Sequence, residues 1–347
     1  MTILALETSC DDTCAAVLEA SGEMRSNVIS SQEAHERFGG VVPEIASRHH
    51  LELVNVIVEE ALRRAGASLA DVELVAATQG PGLVGALLVG LSTAKALAAA
   101  RELPFAPVDH LQGHVAANFI LDEAATVAFE PPFLCLIASG GHTLVARVAG
   151  HDGFEVIGRT LDDAAGEAFD KGARMLGLGY PGGAALERLA VDGDPEAFSF
   201  PGSASERARG GRGPRRKPYG ESLDFSFAGL KTALLYTLRD LSESDREARA
   251  ADLAASYQAA IVDSLLARSE RALERTGLGR LAVGGGVAAN GELRRRLGGL
   301  EASVHIPSRA LCTDNAAMIA SAARHGRRLS YPDYLGLDAY ATGEHAR

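Results

Sequence analysis

Phe133-Leu-Cys-Leu-Ile-Ala-Ser-Gly-Gly-His-Thr-Leu-Val-Ala-Arg-Val148 reads as two apolar strands joined by a tight turn. The first strand is Phe133–Ala138, the turn is Ser139-Gly140-Gly141-His142-Thr143, and the second strand runs from Leu144 to Val148. The start of the chain has the same plan. Thr2–Leu6 and Cys14–Leu18 are short apolar runs, and the polar turn Thr8-Ser9-Cys10-Asp11-Asp12-Thr13 joins them. Apolar runs of this length bounded by Gly, Ser and Asp clusters are hairpin signals. Two halves that each begin on such a hairpin predict two lobes facing a cleft.

The stretches between the hairpins supply helices and parallel-strand candidates. Residues 44–65 carry a helical period with charged positions Glu44, Arg48, Glu52, Glu59, Arg63 and Arg64, and Gly66 ends them. Leu74–Thr78 reads as a buried strand that leads into the turn Gln79-Gly80-Pro81-Gly82 and then into a small-residue helix, 83–100. Leu281–Val283 enters Gly284-Gly285-Gly286-Val287-Ala288-Ala289-Asn290, followed by a helix with Arg294-Arg295-Arg296. Strands alternating with helices in this way predict an α/β protein.

The turns point to chemistry. Gly140-Gly141 and Gly284-Gly285-Gly286 let a ligand approach the backbone, because no Cβ stands in the way. Successive amides in such turns form a nest for a phosphate. One glycine turn is weak evidence, but two matched hairpin turns and a triple-glycine turn in this order describe a nucleotide clamped between two lobes. Asn290, at the start of the following helix, is placed to hold a sugar or base. Asp11 and Asp12 do not bind phosphate; they suit a metal, a water or a proton.

His110 and His114 stand four residues apart in Asp109-His-Leu-Gln-Gly-His, which puts both on one face of a helix and lets them share a metal ion. The zinc-protease signature needs a glutamate directly after the first histidine, and here Leu111 holds that place. The pair therefore reads as a metal clip without a protease's base. The third ligand has to come from elsewhere, and Asp314, where Cys312-Thr313-Asp314-Asn315 enters an apolar helix, is the candidate. A helix cap is the other reading of Asp314, and both stay open. Two histidines and a carboxylate suit iron(II) or zinc.

Composition narrows the class. The chain has 347 residues, 47% of them hydrophobic and 23% charged, enough for two compact lobes. No run approaches the roughly 18 apolar residues of a membrane span. The first residues, Met-Thr-Ile-Leu-Ala-Leu-Glu, lack the basic stretch of a secretory leader. With four cysteines (Cys10, Cys14, Cys135, Cys312) in no zinc-knuckle spacing, a cytoplasmic protein with reduced thiols is expected. A net charge of −11 argues against a protein that coats nucleic acid nonspecifically. Residues 207–217 are nonetheless a glycine-rich basic loop, read either as a solvated insertion or as a local grip on one RNA.

A set of motifs in order is similar to the TsaD family, the bacterial tRNA N6-adenosine threonylcarbamoyltransferases, also called Gcp or O-sialoglycoprotein endopeptidase. They are Glu7-Thr-Ser-Cys-Asp11, Phe38-Gly-Gly-Val-Val-Pro-Glu44 with Ala46-Ser47-Arg48, Gln79-Gly-Pro-Gly82, His110-x3-His114, Ser139-Gly-Gly-His142, Gly166-Glu-Ala-Phe-Asp170-Lys, Tyr180-Pro-Gly-Gly183, Asp224-Phe-Ser-Phe-x-Gly-Leu-Lys231, Gly284-Gly-Gly-Val-x-Ala-Asn290 and Thr313-Asp-Asn315. They run from Ile3 to about Ile319. Two departures stand out: Asp12 where members typically have glutamate, and a longer, more basic segment 203–222 before Asp224.

The resemblance implies the two-lobed actin-like ATPase and sugar-kinase fold with a nucleotide cleft. The expected division is 1–109 with 311–347 as the first lobe, and 110–310, with the histidine pair, as the second. It implies an acyltransferase that moves the threonylcarbamoyl group from threonylcarbamoyl-adenylate to N6 of adenosine 37 in tRNAs reading codons that start with A. It places one divalent ion per subunit, iron(II) ahead of zinc, on His110, His114 and Asp314. Substrate would meet Ala138, Ser139, Gly140, Gly141, His142, Asp170, Gly183 and Asn290. Asp11 is the candidate base for the adenine amine. Partners implied are tRNA, a TsaB-like paralogue docking on helix 44–65 and its neighbours, and a TsaE-like ATPase, with no membrane association. The alternatives are a nucleotide-cleft ATPase and a non-catalytic subunit of the same tRNA-modification complex.

Overall fold

The computed structural model describes residues 1–121, 127–201 and 222–341. They form two compact units: Met1–Pro131 with Ala149–Phe154 and Pro307–Arg347, and Pro132–Val148 with Glu155–Ile306.

In the first unit β1 (Thr2–Glu7) and β2 (Asp12–Glu19) pair antiparallel, with Ala5 opposite Ala16, so the expected hairpin is present. β3 (Met24–Ser31) adds to β2 antiparallel. α1 (Pro43–Ala65) follows, with proline in its first turn and Gly66 closing it at φ 63°, a left-handed conformation that glycine adopts without strain. β4 (Leu74–Gly80), α2 (Val84–Ala99) and β5 (Phe105–Asp109) complete a sheet of order β3-β2-β1-β4-β5 in which β4 runs parallel to both β1 and β5. Leu4, Leu6, Val17, Val75 and Ala77 form one core with Val54, Val58, Ala61 and Leu62 of α1 and Leu91 and Ala94 of α2. Alternation along each strand sends Ala5, Ala16 and Ala76 to the other face. α3 (His110–Ala116) begins directly after β5.

The second unit repeats this plan. β6 (Phe133–Ala138) and β7 (Thr143–Gly150) are the second expected hairpin, antiparallel with Ala138 opposite Thr143. With β8 (Gly153–Arg159), β9 (Arg280–Gly284) and β10 (Ser303–His305) they make a sheet of order β10-β9-β6-β7-β8. β9 is parallel to both β6 and β10. Read from its third hairpin-side strand, this order matches that of the first sheet. The unit's helices are α4 (Ala165–Met175), α5 (Gly182–Ala190), α6 (Ala228–Asp240), α7 (Glu243–Ala248), the long, largely buried α8 (Ala250–Thr276) and α9 (Gly291–Leu297).

A last helix, α10 (Ala316–His325), belongs to the first unit and packs on β1, β2 and β4. It also holds α3. A Cβ on Gly113 would come 2.8 Å from Ile319, and the Ser321 hydroxyl donates to the Ala116 carbonyl at 2.8 Å. This contact corrects the expected division, which put the histidine pair in a lobe spanning 110–310. α3 continues from β5 without a break and is packed by α10, so it stays in the first unit. The basic stretch 207–217 lies outside the described residues, as does the segment 203–222 apart from Ser222. Among the described residues no helix is long and apolar enough to cross a membrane. None of the four cysteines is in a disulfide, and three of them are buried.

Candidate metal centre

Asp109 ends β5 and caps α3: its Oδ1 accepts from the backbone N–H of Leu111 at 2.8 Å and of Gln112 at 3.1 Å. A capped helix starting at His110 places His110 and His114 on one face, with ring centroids 4.7 Å apart. Both are buried, His110 5% and His114 0% exposed. Asp314 comes to this face from the segment before α10. Its Oδ1 lies 3.5 Å from His110 Nε2 and 3.4 Å from His114 Nε2.

Asn315, not Asp314, caps α10, its Oδ1 accepting from the Met318 N–H at 3.0 Å. The cap reading of Asp314 is thereby set aside, and its carboxylate faces the imidazoles. One ligand atom from each of the three residues lies within 4.8 Å of the others. Two donors about 2.1 Å from one ion at a tetrahedral angle stand about 3.4 Å apart, which is the spacing seen here. His114 adds a second test. Neither of its ring nitrogens has a hydrogen-bond partner although the side chain is fully buried. Such an orphaned pair is costly unless a ligand completes it. The donor set, two nitrogens and a carboxylate oxygen, fits iron(II) or zinc.

The electrostatics favour a cation. Burial pulls the His110 pKa down, but the charges of Asp314 and Glu7 outweigh it and hold it at about 9. Burial, with Asp314 next, pushes the Asp12 carboxyl up to about 7 against a lowering hydrogen bond from Ser31. Asp11 lies half-buried in the same β1–β2 turn, but it is not one of the three converging groups.

Glu7, which stands in the sequence only as the first residue of the Glu7–Asp11 motif, lies directly behind His110. The Glu7 Oε2 is 3.0 Å from His110 Nδ1, and Thr78 Oγ1 donates to the same oxygen at 2.6 Å. Glu7 Oε1 accepts from the Ser9 N–H. A carboxylate closing an otherwise apolar strand was the signal available.

The remaining candidates belong to the second unit. Ala138 ends β6, and Ser139-Gly140-Gly141-His142 makes the turn, closed by Ser139 N–H to His142 O at 2.8 Å and His142 N–H to Ser139 Oγ at 3.1 Å. Gly140 and Gly141 are exposed. Gly285, at φ 87°, presses on this strand end, where a Cβ would collide with the Ala138 carbonyl. Asp170 and Gly183 meet: Asp170 Oδ1 accepts the Gly183 N–H at 3.2 Å, tying α4 to α5. Asn290 is buried and caps α9, accepting from Leu293 N–H at 2.9 Å while its Nδ2 donates to Gln258 at 2.8 Å. The Arg294-Arg295-Arg296 cluster is engaged within the unit: Arg294 donates to the Ala288 carbonyl, Arg295 pairs with Glu292, and Arg296 with Asp263.

A family model described as TsaD, tRNA N6-adenosine threonylcarbamoyltransferase, matches residues 23–321. The protein of that name from Pelobacter propionicus is 48% identical over 347 residues, 99% of this chain and 97% of the relative. The one from Clostridium beijerinckii is 49% identical over 326 residues, 92% of this chain and 91% of the relative. Among solved structures, component A of the Acidaminococcus fermentans (R)-2-hydroxyglutaryl-CoA dehydratase aligns with TM-score 0.54 and 14% identity, over 96% of this chain and 99% of that one. HypF from T. kodakarensis aligns with TM-score 0.56 and 13% identity, over 93% of this chain and 47% of that one. At such identities the likeness speaks to fold alone, and it agrees with the expected α/β fold class of actin-like ATPases and sugar kinases.

Proposed function

The chain belongs to the TsaD family of tRNA N6-adenosine threonylcarbamoyltransferases, and on that premise we propose which of its residues serve the transfer. The protein is a transferase acting on tRNA. The observation that carries the residue assignment is the convergence of His110, His114 and Asp314 around the orphaned nitrogens of His114. These three hold one divalent ion, iron(II) ahead of zinc. When bound, such an ion acts as a Lewis acid on substrate oxygens.

The acyl donor is threonylcarbamoyl-adenylate and the acceptor is N6 of adenosine 37 in tRNAs reading codons that start with A. The adenine amine attacks the threonylcarbamoyl carbonyl carbon. A new C–N bond forms, the bond from that carbon to the phosphate oxygen breaks, and AMP leaves with the electron pair. The amine is a poor nucleophile, so orienting it and taking its proton dominate the barrier. Asp11 accepts that proton. The exposed amides of Gly140 and Gly141 cradle phosphate or carboxylate oxygens of the donor, beside Ala138, Ser139 and His142. Asp170, Gly183 and Asn290 shape the rest of that subsite.

A TsaB-like partner docks on α1 and α2. What supports this is the apolar surface they expose, with Leu51 at 70%, Val56 at 59%, and Val84 and Leu88 partly uncovered. A TsaE-like ATPase joins the same cytoplasmic assembly.

The test is reconstitution with partners, prepared threonylcarbamoyl-adenylate and unmodified tRNA, followed by nucleoside mass spectrometry. Threonylcarbamoyladenosine should appear with the native chain and vanish with His110→Ala. Undiminished threonylcarbamoyladenosine with His110→Ala, in a metal-loaded and fully partnered reaction, would sink the residue assignment.

A further inference from the structure

We propose that Glu7 is a positioning residue that sets the tautomer of His110, holding the ring proton on Nδ1 so that the Nε2 lone pair faces Asp314 and His114. The inference rests on the metal reading of the triad and extends it to a residue on a different element, the last position of β1.

The hydrogen-bond inventory around Glu7 leaves one consistent arrangement. Glu7 is 0% exposed, so its oxygens have to be satisfied inside the protein. The Ser9 backbone N–H is only a donor, and Glu7 Oε1 accepts it. Thr78 Oγ1 donates to Oε2 at 2.6 Å. His110 Nδ1 faces the same Oε2 at 3.0 Å, with Ser9 Oγ 3.2 Å away. A nitrogen set against a carboxylate oxygen has to bring the proton itself. In the neutral ring Nε2 then carries the lone pair, and Nε2 is the atom 3.5 Å from Asp314 Oδ1. His114 has no equivalent partner on either nitrogen, so packing alone orients it. His110 is the anchored ligand of the pair, and the negative partner behind it also raises its basicity.

Glu7→Gln distinguishes this role from simple burial. The amide oxygen has to stay on the Ser9 N–H, which places the NH2 at the Oε2 position. There it donates toward His110 Nδ1, so Nδ1 has to accept and the ring proton moves to Nε2. The ring keeps its packing but presents a proton to the metal.

The experiment uses the full chain and zinc as probe. Zinc dissociation constants are measured by competition with a chromophoric chelator for the native chain, Glu7→Gln, Glu7→Asp and His110→Ala, with metal-free melting temperatures alongside. Nitrogen-edited NMR of the zinc-loaded native chain locates the His110 ring proton. The expected result is a hydrogen-bonded proton on Nδ1, and about 10–100-fold weaker zinc binding in Glu7→Gln, with partial recovery in Glu7→Asp, whose carboxylate still accepts. Native-like affinity in Glu7→Gln, while His110→Ala loses zinc, overturns the role of Glu7 and leaves the metal reading standing. Native-like affinity in His110→Ala overturns both. Should Glu7→Gln not fold, the native spectrum decides: a ring proton on Nε2 overturns the proposal.

Discussion

The phenol of Tyr340 lies 2.7 Å from Asp109 Oδ2, and the other oxygen of Asp109 caps the helix that carries both histidines. The same phenol is 2.9 Å from the Gly80 carbonyl, and the Tyr340 N–H donates to the Gln79 carbonyl at 3.2 Å. Residues 338–341 thus bind the Gln79-Gly80-Pro81-Gly82 turn, and the Tyr340 side chain also reaches the start of α3. Burial, with Asp109 next, pushes the Tyr340 phenol well above its usual range, so it acts as a donor here.

Tyr340→Phe removes that donor from a carboxylate. Hydrogen bonds to charged groups contribute about 1.5–3 kcal/mol, and urea unfolding should show a loss of that order. An unchanged midpoint would mean that the cap of α3 is self-sufficient.

Asp314 and Asn315 are neighbours with separable roles. Asp314→Ala should lower bound iron or zinc, read by elemental analysis, with little loss of stability, because it removes no cap. Asn315→Ala should cost about 1 kcal/mol as the α10 cap is lost. If instead Asp314→Ala carried the larger stability loss with metal retained, the assignments would be reversed.

His50 on α1 is fully buried, with Nδ1 2.8 Å from Thr13 Oγ1 and Nε2 3.0 Å from the Cys10 carbonyl. Burial lowers its pKa, outweighing the raising effect of that carbonyl. A folded value below the unfolded value of about 6.5 means that acid favours the unfolded chain. The His50 contribution is complete above about pH 6.5 and is lost as pH falls through the lowered folded value. Melting temperature followed from neutral to mildly acid pH should drop less steeply in His50→Gln than in the native chain; parallel curves would exclude His50 as the titrating group.

Gly90 in α2 accepts the Thr8 side chain: its N–H donates to Thr8 Oγ1 at 3.2 Å, and Thr8 Oγ1 donates to the Ala86 carbonyl at 2.9 Å. Glycine to alanine inside a helix ordinarily stabilises by up to about 1 kcal/mol. Here the new Cβ would strike Thr8, so Gly90→Ala should destabilise, by about 1–3 kcal/mol. Thr8→Ala, which removes the struck Oγ1, combined with Gly90→Ala should cost less in calorimetry than the sum of the two single variants; a stabilised Gly90→Ala would refute the contact.

Much of this architecture was legible in the chain. The two hairpins, the helix ended by Gly66 and the histidine pair show in the sequence because each depends on spacing within a few residues. The edge strands β3, β5 and β10 and the long helix α8 did not stand out. Five of the eight residues of β3 are polar, and β10 spans three residues, too short for a period to emerge. The helix N-cap between Asp314 and Asn315 could not be chosen, because both residue types cap helices equally well.

The sequence by itself determined the α/β class, the duplicated hairpin plan, the family and the helical face on which His110 and His114 meet. Local periodicity and glycine placement decide those, since they depend on backbone geometry over a turn or a strand. Tertiary structure alone decided that Asp314 faces the imidazoles while Asn315 takes the cap, that Glu7 stands behind His110, and that α3 belongs with the first sheet. Those facts are distances between segments far apart in the chain. They are set by how β1, β4, α3 and α10 pack, and no spacing along the sequence encodes that packing.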